Sequence, residues 1–230
     1  MDWKKFWNEK GGEENPFAQV ARIGGQSQQD DEQIDSIVEH IVTSLELKSA
    51  DVLLDVCCGN GLLTSKLARH CKKVVGIDIS DVLINHAKNN FPEIEFICAD
   101  ALELNSSTIC KQHLSFDKIN LYFSFQYFEG FDKGKKVIEN LLPFLKNDGK
   151  LFLGDIPDSI KFFEYYNSPL RIIQLVKQTL QHKNTMGKFW SENELKLICE
   201  QLNIKGKKLT QPDYLPYADY RMDWLITPSS

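Results

Sequence analysis

Residues 52–64 read Val52-Leu53-Leu54-Asp55-Val56-Cys57-Cys58-Gly59-Asn60-Gly61-Leu62-Leu63-Thr64. An apolar run passes straight into a Gly-x-Gly bend and on into a segment of helical spacing. Glycines at such a bend let a ligand approach the backbone, and the free N–H groups of the following helix face whatever lies above the strand end. The stretch therefore predicts a parallel α/β sheet with a ligand crevice at the carboxyl end of its first strand, where the topological switch point of an open sheet falls.

The pattern repeats outward from there. Strand-like runs are Asp51–Val56, Lys73–Asp78, Ile94–Cys98, Phe116–Tyr122 and Gly149–Gly154, with helical character at Leu62–His70, Asp81–Asn90 and Lys133–Leu145. Ahead of them, Ile34, Ile37, Val38, Ile41, Val42 and Leu45 recur at helical spacing in Asp31–Leu45, an amphipathic helix for one sheet face. Ser191-Glu192-Asn193-Glu194 makes a capping box before Leu195–Leu202, and two β-like pieces close the chain, Ile204–Leu209 and Ala218–Thr227. The organisation expected is one domain over residues 31–230. A polar, aromatic cap segment spans 1–30, unstructured until something docks beneath it, and an insertion at 158–187, helical over Ile160–Gln181, serves as a lid.

Acidic residues recur at the strand ends. Asp78, seventeen residues after Gly61, closes the second strand and suits the vicinal hydroxyls of a ribose. Asp100 follows the third and suits the exocyclic amine of a base. Two features depart from a dinucleotide fingerprint: Thr64 stands where a third glycine belongs, and Asp55 precedes the first glycine by four residues. A carboxylate there sits badly beside a pyrophosphate and well beside an ammonium group.

Taken jointly, these segments resemble the class I S-adenosylmethionine-dependent methyltransferases. Asp55-Val56-Cys57-Cys58-Gly59-Asn60-Gly61 is similar to the family's acidic glycine motif, Val74–Ser80 to its second-strand motif, and Ile97-Cys98-Ala99-Asp100-Ala101 to its adenine-contacting motif. Phe116–Tyr122 and Leu142–Leu151 resemble its fourth strand and the turn before its fifth, although that turn reads Lys146-Asn147-Asp148-Gly149. The resemblance covers about residues 35–155. It implies a Rossmann-like three-layer sandwich, a seven-stranded, mostly parallel sheet with the last strand antiparallel. It further implies S-adenosylmethionine as cofactor, S-adenosylhomocysteine as product and a small-molecule acceptor methylated at O or N. Gly59, Asn60 and Gly61, with Cys57 in the same bend, would line the methionine and ribose portion, and Asp55 would hold the amino end. Asp78 would take the ribose hydroxyls, Ile79 pack on adenine, Asp100 and Ala101 meet the adenine edge, and Leu121 and Tyr122 lie beside the sulfonium.

No catalytic base emerges; His113 and His182 are the candidates weighed. Substrate contact is expected of Trp7, Arg22 and Tyr127, with Arg221 a further candidate for an anionic group. A formal net charge of −5 lacks the footprint of a nucleic-acid binder. No run of about 18 apolar residues is present, so the expectation is a cytoplasmic protein with neither nucleic acid nor membrane as partner. Six cysteines without a C-x-x-C spacing read as reduced, with no metal site. Two other readings use the same strand, bend and acid: an adenosyl-binding protein without catalysis, and a nicotinamide-dependent oxidoreductase.

Overall fold

The computed structural model describes residues 1–21, 23–24, 27–28, 31–105, 109, 115–181 and 184–229. Its main sheet contains β1 (Val52–Val56), β2 (Lys73–Asp78), β3 (Glu95–Cys98), β4 (Phe116–Tyr122), β5 (Leu145–Pro157), β6 (Ile204–Leu209) and β7 (Arg221–Pro228). These seven strands lie in the order β3-β2-β1-β4-β5-β7-β6. The first five are mutually parallel, whereas β7 runs antiparallel to both β5 and β6. The order reverses between β1 and β4, which places the switch point directly above the glycine bend.

Alternation along the strands builds a separate core on each face. Leu54, Val56, Ile119, Leu121 and Leu153 join one cluster with Val137 and Ile138 of α6 (Phe131–Leu141) and Ile198 of α9 (Glu192–Gln201). Leu53, Val74 and Phe152 join the other, under α3 (Asp31–Leu45), α4 (Leu62–Leu67) and α5 (Asp81–Asn90). This is the three-layer, Rossmann-like α/β sandwich. The capping box before α9 forms, Ser191 Oγ accepting from Glu194 N while Glu194 Oε2 accepts from Ser191 N.

Three expectations change. The first described residues are ordered as α1 (Trp3–Gly11) and α2 (Pro16–Gln19), each started by a side-chain cap, Asp2 and Asn15. The insertion is not one helix: a 3₁₀ turn at Ser159–Lys161 and the short α7 (Phe162–Tyr165) precede α8 (Pro169–Leu180), because Pro169 can open a helix and cannot continue one. Finally, β5 begins at Leu145 and takes in the whole Lys-Asn-Asp-Gly stretch, with a register shift against β4 between Phe116 and Lys118.

Gly134 of α6 comes close to the fully buried Trp190, since a Cβ there would lie 2.2 Å from its Cη2. A helical Gly→Ala change gains about 1 kcal/mol in propensity, yet overpacking a rigid core costs about 1–3 kcal/mol. Gly134→Ala should therefore lower the urea midpoint at unchanged m-value.

Candidate functional site

Asp78, at the end of β2, sets the shape of the glycine bend. Its Oδ2 accepts from Gly59 N at 2.9 Å and its Oδ1 from Ser80 N at 2.9 Å, so one buried side chain ties the turn after β1 to the turn after β2. Within that bend Cys57, Gly59 and Gly61 all have positive φ, of 58°, 57° and 80°. At Cys57 a side chain tolerates what glycine adopts freely. Phe123 after β4 and Asp155 in β5 share this geometry, at φ 60° and 59°. Strained backbone thus occurs at the carboxyl ends of β1, β4 and β5, where binding sites concentrate it.

A cavity of about 310 Å³ opens above these ends. Three strand ends contribute the carboxylates Asp55, Asp78 and Asp100, Asp2 adds a fourth from the amino-terminal segment, and the wall also includes Cys57, Gly59, Asn60, Ile79, Ala101 and Tyr122. Asp55 is wholly engaged with the scaffold: its Oδ2 accepts from the Thr64 hydroxyl at 2.6 Å and its Oδ1 from Asn120 Nδ2 at 2.8 Å. Burial pushes Asp55 up to about 6, against the pull of the Thr64 and Asn120 bonds. Asp78 is likewise raised to about 6 by burial, opposed by the N–H groups of Ser80, Gly59 and Ile79. Asp100 turns one oxygen back to Leu102 N at 2.8 Å. Burial raises the Cys57 and Cys58 thiols well above their usual range, so neither is an activated nucleophile.

The roof is α1. Trp3 and Trp7 meet the wall residue Tyr127 with ring centroids 4.4 and 5.4 Å apart. The helix is pinned at its far end to α5, where Ser80 Oγ donates to Asn8 Oδ1 at 2.6 Å and His86 Nε2 lies 3.0 Å from Gly11 O. Asn60 anchors α2 in the same way, its Nδ2 donating to Pro16 O at 2.9 Å and Gln19 Oε1 at 2.8 Å. Trp7 and Tyr127 therefore reach the cavity as the sequence suggests.

Two expected contacts do not. Gly61 is packed away from the cavity, its α-carbon facing Phe96 and Phe91, and Leu121 points into the opposite core because the strand alternates and Tyr122 takes the cavity side. Arg22, His113 and His182 lie outside the described residues. Arg221 is buried away from the wall: its NH1 donates to Asp155 O at 2.6 Å and its guanidinium sits 4.8 Å over the Phe123 ring, supporting a wall residue from behind. None of the described residues of the 158–187 insertion lines the cavity. Unforeseen wall residues are Val20, Ile34, Lys4 and Lys133. Periodicity marks Ile34 as apolar without saying which end of its helix meets the bend.

Residues 53–149 match the family described as methyltransferase domain. Among curated relatives, a ubiquinone biosynthesis O-methyltransferase of Coxiella burnetii is 33% identical over 132 residues, which is 56% of this chain and 53% of that protein. The chain thus spans about half the length of the curated relatives it matches. Two solved structures share the fold across nearly their whole length. Magnesium protoporphyrin IX methyltransferase from Synechocystis PCC 6803, with bound S-adenosylhomocysteine, gives a TM-score of 0.65 at 18% identity over 99% of this chain and 98% of its own. N-methyltransferase NodS from Bradyrhizobium japonicum, also with S-adenosylhomocysteine, gives 0.66 at 15% identity over 100% of both chains. Within the matched segment the position of the missing third glycine, Thr64, is the one that bonds Asp55.

An Asp whose folded pKa lies near 6 instead of about 3.9 keeps its proton while the unfolded chain has lost it. Asp55 thus stabilises the fold most below pH 4, and that contribution is lost as pH rises through about 6. Asp55→Asn removes the titration, and Asn120, whose Oδ1 is buried without a hydrogen bond, can turn to accept from the new amide. Thermal melts from pH 4.5 to 7.5 should show the variant gaining on the parent protein as pH rises.

Proposed function

We propose that this protein is an S-adenosylmethionine-dependent methyltransferase acting on a small-molecule acceptor at oxygen or nitrogen. The observation that carries the reading is the set of three carboxylates, Asp55, Asp78 and Asp100, raised by three adjacent parallel strands around one roofed cavity. A cation with an adenosyl group fits that donor set: Asp78 has a second lone pair on each oxygen for ribose hydroxyls, Asp100 faces the base edge, and Asp55 offsets the charge of the amino end. The net acidity of the wall, relieved only by Lys4 and Lys133 among its described side chains, suits a sulfonium and disfavours a pyrophosphate. Ile79 and Ala101 supply apolar surface for adenine.

When bound, the sulfonium supplies a methyl group already activated for transfer. The chain's own contribution is then positional. The bend held by Asp78 fixes one reactant, while Trp3, Trp7, Phe123 and Tyr127 enclose the other and exclude water, which is where proximity gives its advantage. No histidine stands on the described wall, and a neutral amine or an acidic hydroxyl needs no strong base. The small size of the cavity, the absence of a basic surface footprint, and relatives that bear the names of ubiquinone-biosynthesis, protoporphyrin and NodS methyltransferases all support a small-molecule acceptor. We assign residues 1–30 the role of a cap over the bound pair. The dinucleotide alternative loses its footing at Thr64, whose hydroxyl is committed to Asp55.

At a hundredfold excess over its Kd, S-adenosylhomocysteine should add about 2.7 kcal/mol, or roughly 5–10 °C in Tm, and NADH should add nothing. Asp78→Ala should abolish the shift; a retained shift would remove the ribose assignment. Methyl transfer from labelled donor to a panel of phenols and amines distinguishes an enzyme from a binding protein. With S-adenosylhomocysteine present, limited proteolysis within residues 1–30 should slow, and unchanged cleavage there would count against a cap.

A further inference from the structure

No cation bonds Asp55 among the described residues. Asp55 is 2% exposed, and both of its hydrogen bonds come from uncharged donors, the Thr64 hydroxyl of α4 and the Asn120 amide of β4. Around it, β2 presents a second carboxylate, Asp78, and the bend presents the Cys57 and Cys58 thiols, with Cys71 ahead of β2; burial keeps all three thiols neutral. To the wall β4 adds the Tyr122 phenol and α3 only the apolar Ile34, while Asp2, Lys4, Asp100 and Lys133 occupy other parts of it and bond to neither oxygen of Asp55. A buried carboxyl group in such company favours its proton, and burial together with the charge of Asp78 lifts Asp55 to about 6.

Asn120 is short of a donor. It is fully buried, its Nδ2 donates to Asp55 Oδ1 at 2.8 Å, and its own Oδ1 has no hydrogen bond. Buried acceptors normally find a donor. A hydrogen on Asp55 supplies one: with the amide turned, the acid donates to Asn120 Oδ1 while the Thr64 hydroxyl keeps its 2.6 Å bond to Oδ2. Hydrogen-bond geometry and burial thus agree on one extra proton in this cluster. Asp78 has no such need, because Gly59 N and Ser80 N already donate to its oxygens, and ribose hydroxyls, which both donate and accept, bind a carboxylate or its acid. An ammonium group carries charge and only donates, so it selects the carboxylate.

We propose that ligand binding is proton-linked at Asp55: the ammonium of an adenosyl ligand's amino-acid end displaces the Asp55 proton, which leaves to solvent as the carboxylate–ammonium pair forms. The O–H bond of the acid breaks, a solvent base takes the proton, and one cation stands in for another. This inference rests on the methyltransferase reading and adds a pH control to the same site. Affinity for the adenosyl ligand is full where Asp55 is already ionised, and it falls as pH drops through about 6, by about tenfold for each unit below.

Calorimetric titration of the full chain with S-adenosylhomocysteine from about pH 5 to about pH 7, in paired buffers of small and large ionisation enthalpy, counts the protons released; the ligand's amine stays cationic throughout. Release should approach one proton per ligand at the acid end and vanish at the neutral end, with Kd about tenfold weaker at the acid end. Asp55→Asn should remove that proton and bind at neutral pH at least about tenfold more weakly than the parent protein. Thr64→Val keeps an acid that titrates but withdraws a bond that favours its ionised form, so the midpoint of the release should move to higher pH. Constant affinity without proton release overturns the inference and leaves the methyltransferase reading standing, as does release undiminished in Asp55→Asn or an unmoved midpoint in Thr64→Val. No binding by the folded protein at any pH overturns that reading, and the inference falls with it.

Discussion

The hydrogen bonds of Asp55 hold together three elements that must agree for a cavity to exist. Thr64 of α4 donates to one carboxylate oxygen and Asn120 of β4 to the other, so β1, its following helix and the strand across the switch point share one buried group. Burying a carboxylate is unfavourable unless it is hydrogen-bonded, and burial still lifts this one toward neutrality. The geometry of the glycine bend follows from that arrangement together with Asp78, whose oxygens fix the N–H groups of Gly59 and Ser80. The two departures from a dinucleotide fingerprint, an acid before the bend and a threonine after it, are the two ends of a single hydrogen bond.

Ordering of the amino-terminal segment rests on equally local causes. Asp2 and Asn15 cap its helices, and the backbone of Gly11 comes close enough to Val82 that a Cβ there would lie 2.8 Å from Cγ1. Asn8, Asn60 and His86 then carry the attachment to the glycine bend and to α5 with its cap, beside the cavity. A roof fastened at the bend and at α5 is thereby joined to the same backbone that Asp78 holds. At the Phe123 wall, Arg221, Asp155 and Phe123 form a support whose strained backbone at Asp155 and Phe123 fixes the ring on the wall.

The exposed arc of α8 stands apart from this economy of burial. Its helix follows from local signals, the Ser168 cap and Pro169 in the first turn, while its orientation leaves apolar surface uncovered. Local propensity and tertiary packing agree along α3, α5 and α6, whose apolar arcs are buried.

The sequence by itself determined the strand-and-helix alternation, the bend at Gly59, the acids at strand ends and the order of motifs, because a period of two or 3.6 and a glycine requirement are local properties. Lys73–Asp78, Asp81–Asn90, Phe116–Tyr122 and Ile204–Leu209 are bounded in the structure as their residues indicate. Only the tertiary structure decided which neighbours the motif residues keep. Gly61 serves helix packing against Phe96, Leu121 faces the core opposite its neighbour Tyr122, Arg221 braces Phe123 from behind, and Val20, Ile34 and Lys133 join the wall from distant parts of the chain. Those outcomes depend on the closing of long loops and on the hand of strand alternation across a paired sheet, and neither is written in the spacing of one segment.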